Sequence, residues 1–202
     1  MTFLIAGLGN PGKRFEKTRH NIGFETVKCL AKKYDLSFQK SDKLKGWFAT
    51  GMIEKEKVIL FLPKTFMNDS GIAVANCIRY YKIDIDHLLV IVDDADIDFL
   101  QMRLKDNSGT GGHKGLNSVE ESLKTSSYAR LRIGIGRDPN EKSSLVGHVL
   151  GGFASKEKKQ LPDFLDRACS MIILWMKKGI QKAMNEANIR KLNKPSDKEN
   201  KE

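Results

Sequence analysis

Four side chains in this sequence could run a reaction on water: Asn10, His20, Asn68 and Asp93. An aspartate that holds one imidazole nitrogen leaves the other free to take a proton, which makes a histidine a general base. Two carboxamides can orient a carbonyl and bind the charge that develops on its oxygen. Such a set fits a hydrolase that uses water directly. Each residue also has a plain structural reading. Asn10 suits a turn, Asn68 a helix N-cap, Asp93 a solvated strand end and His20 a loop. Spacing along the chain does not bring the four together; that is left to the fold.

Other chemistries lack their residues. There is no GxSxG elbow, no HExxH pair and no GxxxxGK[ST] phosphate loop. The four histidines (His20, His87, His113, His148) and the scattered Cys29, Cys77 and Cys169, with no CxxC, argue against a zinc site. The thiols read instead as reduced and mostly buried, in a cytosolic protein. Gly7-Leu8-Gly9-Asn10-Pro11-Gly12 does match GxGxxG. A dinucleotide site, however, needs a helix opening at the third glycine. Here Pro11 interrupts the motif and a polar, basic stretch follows it. The acidic residue expected about 20 positions on is also missing, since Asp35 falls at a helix end.

The elements that must hold these groups alternate. Residues 3–8 read as a buried strand running into a loop, and a helix begins after Asn21, a plausible N-cap. Segments 47–53 and 57–62 pattern as a strand pair, and 70–81 as a helix. An apolar strand over 87–92 ends in Asp93-Asp94, and a further strand is expected over 99–104. A glycine-rich turn opens a helix at 114–123, 131–135 alternates as a strand, and 155–187 is largely helical. Within that last segment Phe164, Leu165, Ala168, Met171, Ile172 and Trp175 form an apolar stripe at helical spacing. The pattern predicts one α/β domain over 1–187, with a mixed, partly parallel sheet flanked by helices. A disordered basic tail is expected over 188–202.

Composition narrows the partners. The 202 residues carry 35 Lys+Arg against 25 Asp+Glu, a net charge of +10. The tail holds five basic and three acidic side chains, so most of the excess lies on the folded body. That field suits a polyanion such as nucleic acid, although generic solubility charge is the plainer reading. No apolar run approaches the roughly 20 residues that a membrane-spanning helix needs. The N-terminal stretch lacks the basic and long apolar regions of a secretory leader.

The segments FLIAGLGNPGKRFEKTRHNIGF, KTFMNDSG, VIVDDADI, GTGGHKGL and RLRIGIGR follow one another between residues 3 and 137, with GHVLGGF at 147–153. In this order they resemble bacterial peptidyl-tRNA hydrolase. The resemblance implies a single α/β domain that cleaves the ester joining a peptide to the terminal ribose of tRNA, without metal or cofactor. A cytoplasmic monomer whose partner is peptidyl-tRNA is expected. By motif position, His20 would be the base that activates water and Asp93 its orienting partner. Asn10 and Asn68 would bind the peptide backbone, with Met67 lining the same cleft. Lys105 and Arg132 would clamp the tRNA 5′-phosphate, the alternative being simple surface charge. Two positions depart from the family pattern. Lys114 stands where the GGHNGL segment usually has Asn, which normally helps hold substrate and water, and a lysine there could instead attract 3′-terminal phosphates. Phe15 replaces a frequent Tyr, keeping the ring and losing the hydroxyl. An RNA-binding splicing factor of the same fold, as in a plant organellar relative, is the alternative function.

Overall fold

In the computed structural model, which describes residues 1–137 and 144–188, the apolar run near the N-terminus becomes Thr2–Gly7 (β1), near the middle of a seven-stranded sheet. Chain order continues with Ile22–Lys33 (α1), Gln39–Ser41 (β2), Gly46–Ile53 (β3), Glu56–Pro63 (β4) and Ser70–Tyr81 (α2). Then follow Leu88–Asp94 (β5), Met102–Asn107 (β6), Lys114–Leu123 (α3) and Ser127–Gly134 (β7). Leu145–Leu150 (α4), Ser155–Lys178 (α5) and Ile180–Ala187 (α6) complete the described chain.

The sheet order is β2-β3-β4-β1-β5-β7-β6. Strands β4, β1, β5 and β7 run parallel, while β2, β3 and β6 add antiparallel edges. Parallel strands covered on both faces must be apolar almost throughout, which explains the unbroken runs in β1, β4 and β5. Successive residues point to opposite faces. Phe3 and Ile5 meet α1 and α5, among Val27, Leu30, Ile172 and Trp175, whereas Leu4 and Ala6 meet α2 and α3, among Val74, Cys77, Leu116 and Val119. The helical stripe is thus core: Phe164, Ala168, Ile172 and Trp175 are buried, and Leu165 and Met171 pack beside them.

The mixed sheet flanked by helices is as the sequence predicts, with local corrections. The strand expected over 99–104 starts at Met102 and runs to Asn107, because Asp98 to Gln101 form a turn in which Leu100 has a positive φ of 66°. The helix over 155–187 breaks at Gly179, with φ 77°. Strand β2 and helix α4 are elements that periodicity did not reveal, being three and six residues long. Asn188, placed in the expected tail, is instead tied to β6: its carboxamide accepts from Leu104 N at 2.9 Å and donates to Leu104 O at 3.0 Å. The rest of that tail, 189–202, lies outside the described residues.

Two glycines of the GxGxxG match are explained by packing. A Cβ on Gly7 would strike the carbonyl of Gly23 in α1, and one on Gly9 would strike the Phe24 ring. Helix α1 opens at Ile22, well beyond Gly12, and not at the third glycine as a pyrophosphate site requires.

Candidate active site

The parallel strands end on one side of the sheet, where ligand sites of open α/β sheets collect. The segments following β1 and β4 carry Asn10 and Met67-Asn68, and β5 itself ends in Asp93-Asp94. Topology alone therefore gathers groups that lie 83 positions apart between Asn10 and Asp93. A cleft of about 490 Å³ opens there, lined by Asn10, Phe15, His20, Met67, Asn68, Asp93, His113, Lys114 and Arg132 among others. Of the residues singled out in the sequence, only Lys105 lies outside it.

A short 3-10 turn, Arg19–Asn21, delivers the histidine. His20 Nδ1 lies 2.8 Å from Asp93 Oδ1, and its Nε2 has no partner among the described residues. Asn21 stands at the N-cap position of α1, yet its side chain caps nothing. It clamps the neighbouring loop instead, accepting from Asn10 N at 2.8 Å and donating to Asn10 O at 2.9 Å. Asn10 Oδ1 in turn accepts the amide of Met67 at 2.8 Å. A backbone N–H needs an acceptor, so this contact fixes which way the carboxamide points. The Asn10 Nδ2 group is left to donate to a ligand. Asn68 is exposed in the 3-10 turn Met67–Asp69, while Met67 is buried beneath it.

Composition and spacing did not single out His113, which the structure places at the centre of the site. It occupies the N-cap of α3, where Nδ1 accepts from Gly115 N at 3.1 Å and Leu116 N at 3.3 Å. Its Nε2 lies 3.1 Å from Asp93 Oδ1. Because Nδ1 accepts, the proton of the neutral ring sits on Nε2 and is donated to Asp93. One clue was present in the sequence: no Ser, Thr, Asp or Asn directly precedes the helix at Lys114, so some other acceptor had to cap it.

Asp93 is 3% exposed and receives both imidazoles on one oxygen. Burial pushes its carboxyl toward the protonated form, but His113 and then His20 outweigh that, holding it well below the usual carboxylate range. Ligand atoms of His20, Asp93 and His113 all lie within 4.8 Å of one another, so a metal must be considered. A metal on His113 Nε2 would move the ring proton to Nδ1, against the two amide N–H groups that donate there. The donor set fits shared protons better than an ion.

The two cations expected to meet phosphate differ. Arg132 donates to Asp94 Oδ2 at 3.0 Å and to the Gly109 carbonyl at 2.6 Å, and is largely covered. Lys105 is exposed on β6 with no ion partner among the described residues. Strand pairing sets Lys105 opposite Arg130 and Arg103 opposite Arg132, so all four share one face. Lys114 is exposed at the first turn of α3, on the cleft rim. Phe15 stands edge-on to Phe66, ring centres 6.5 Å apart, and Leu145, Val146, Val149 and Leu150 of α4 add apolar lining to the cleft.

The family profile described as peptidyl-tRNA hydrolase matches residues 4–196. The peptidyl-tRNA hydrolase of Caldanaerobacter subterraneus subsp. tengcongensis is 41% identical over 186 residues, covering 92% of this chain and 99% of that protein. That of Herpetosiphon aurantiacus is 42% identical over 189 residues, covering 92% and 90%. The crystal structure of peptidyl-tRNA hydrolase from Acinetobacter baumannii superposes with a TM-score of 0.86 at 38% identity, covering 93% of this chain and 94% of that one. Matched along nearly its whole length in both sequence and fold, the chain belongs to the peptidyl-tRNA hydrolase family.

Proposed function

We propose that the protein hydrolyses the ester between a peptide and the terminal ribose of tRNA, with His20 as general base and Asp93 as its orienting partner. One observation carries the choice of base: two histidines share Asp93, and only His20 keeps a free nitrogen. His113 has both nitrogens committed, one to the carboxylate and one to helix amides. It supports Asp93 and cannot take a proton without losing its cap.

In the reaction, His20 Nε2 removes a proton from water as the water oxygen bonds to the ester carbonyl carbon. The imidazolium that forms is balanced by the Asp93 carboxylate, which stays ionised. Asn10 Nδ2 and Asn68 supply hydrogen bonds to the carbonyl region, where negative charge grows. Collapse breaks the bond to the ribose oxygen, which takes the proton back from His20. The products are a peptide carboxylic acid and free tRNA. The Phe15, Met67 and α4 wall accommodates the peptide, while Lys105, Arg132 and the exposed Lys114 present positive charge to the nucleic acid. The assembled His20–Asp93 pair speaks against a silent RNA-binding role.

The test is peptide release from N-blocked aminoacyl-tRNA, with unblocked aminoacyl-tRNA as control. His20→Ala should lower kcat by roughly 10²–10⁴-fold with KM nearly unchanged. His113→Ala should cost less. Near-normal turnover by purified His20→Ala would refute the assignment, and a larger loss in His113→Ala would exchange the two roles.

A further inference from the structure

Arg19, next to the proposed base, has no part in the chemistry described so far, yet it is among the most heavily tied side chains near the cleft. Its backbone N donates to Gly151 O at 2.9 Å, and Nη1 donates to Gly152 O at 2.7 Å. Nη2 pairs with Glu157 Oε2 at 3.0 Å, and the guanidinium lies 5.3 Å from the centre of the Phe153 ring. Thr18 forms an antiparallel bridge with Gly152. Every one of these contacts reaches the segment between α4 and the first turn of α5. Glu157 is itself fixed there, accepting Ala154 N at 2.6 Å.

That segment matters because α4 forms part of the cleft wall, with Val149 packed against the core. At its far side His148 Nε2 meets the Gly136 carbonyl at 2.8 Å. On the near side Arg19 and the Thr18–Gly152 bridge are the ties. Three consecutive residues thus face three ways: Arg19 to the α4–α5 segment, His20 to Asp93 and Asn21 to the Asn10 loop. In a 3-10 turn this short, a backbone shift at one of these residues is shared by its neighbours.

We propose that Arg19 is a positioning residue for the reaction, holding His20 in line with Asp93 by fastening the turn that bears the base to the segment that carries α4. The chemistry asks for arginine. A planar fork reaches a carbonyl and a carboxylate together and stacks on an aromatic ring, whereas a lysine ammonium reaches one acceptor at a time. The consequence is that the cleft wall and the base share the Arg19 side chain as a tie, beside the backbone bridge of Thr18 to Gly152. A displaced α4 would be felt at His20 as a loss of alignment, and misplacement of a reacting group by an ångström can cost on the order of 100-fold in rate.

The inference rests on the reading of His20 as base, and the experiment separates the two. Arg19→Ala, Arg19→Lys, Glu157→Gln and His20→Ala are compared for kcat and KM on N-blocked aminoacyl-tRNA, for Tm, and by proton NMR of the imidazole N–H groups hydrogen-bonded to Asp93. Arg19→Ala should lose on the order of 10- to 100-fold in kcat. Its His20 Nδ1–H resonance should shift or broaden, while that of His113 Nε2–H stays in place. Arg19→Lys and Glu157→Gln should fall between Arg19→Ala and the native protein in both readouts, which keeps the test open if the alanine variant does not fold. A lowered Tm with native kcat and an unmoved His20 resonance would reduce Arg19 to a structural tie and overturn the proposal. If His20→Ala itself turns over normally, the base assignment fails first. If His20→Ala is inactive and the Arg19 variants are native-like, only the positioning role fails.

Discussion

At the scale of single residues, the site is governed by which nitrogen carries which proton. His113 is held as an acceptor at Nδ1 by the first amides of α3, so it can only donate to Asp93. His20 donates from Nδ1 to Asp93, and its Nε2 has no partner among the described residues. Asp93 pays for its burial only because both rings donate to it, and that has a consequence for acid stability. Its carboxyl is held low in the folded protein, against an ordinary value near 4 for an unfolded chain. The stabilisation is therefore complete above about pH 4 and is lost progressively as pH falls below it. Thermal unfolding followed from pH 6 down to pH 2 should show this decline, with a shallower dependence in Asp93→Asn. Equal slopes in the two proteins would mean that Asp93 is not stabilised by its histidines.

At the scale of elements, close contact between β1 and α1 fixes where the 3-10 turn of His20 can lie. Gly23 sits against the backbone of Leu8 and Ile91, where a Cβ would overlap main-chain atoms that cannot rotate away. Gly23→Ala should therefore destabilise the fold by about 1–3 kcal/mol or more. For a chain of this size that lowers Tm by roughly 2–4 °C per kcal/mol. Denaturant unfolding gives the comparison, and an alanine variant as stable as the native protein would show that the helix can move off the strand. The same contact accounts for a glycine motif that otherwise suggests a phosphate loop. Here Gly7 lets two backbones approach and Gly9 makes room for the Phe24 ring, while α1 opens only at Ile22 and not at the third glycine.

At the scale of the whole molecule, charge and topology act together. Among the described residues no helix is long and apolar enough to cross a membrane, and the net charge is +10. Strands β6 and β7 set Arg103, Lys105, Arg130 and Arg132 on one face, but the fold has already used two of them. Arg130 is fully buried against Glu120, and Arg132 is paired with Asp94. Arg103 and Lys105 remain exposed. Lys105→Ala should raise KM for tRNA substrates and flatten the salt dependence by about one phosphate contact. Cleavage of a small N-blocked ester without the tRNA body should be unchanged, and equal losses on both substrates would show that Lys105 acts through the fold. Arg132→Ala should also lower Tm, because it leaves Asp94 Oδ2 without its cation.

How much of this was legible beforehand follows from the range of each interaction. The alternation of apolar runs and helical stripes is local, so the mixed α/β sheet and helices such as Ser70–Tyr81 could be read from the chain. Asn10, His20, Asn68 and Asp93 were likewise recognisable by type and motif. Strand β2 and helix α4 were not, since three to six residues carry too little periodicity to register. His113 was hidden for another reason: its importance lies in two hydrogen bonds made at once, one to a helix end and one to a strand 20 positions away. Asn21 looked like an N-cap and became a clamp on Asn10, because the loop offered a better-paired partner than the helix did. Sequence by itself determined which groups were present and which short elements carried them. Only the tertiary structure decided which histidine keeps a free nitrogen and which cation stays exposed, because both depend on partners that the parallel sheet brings together from distant parts of the chain.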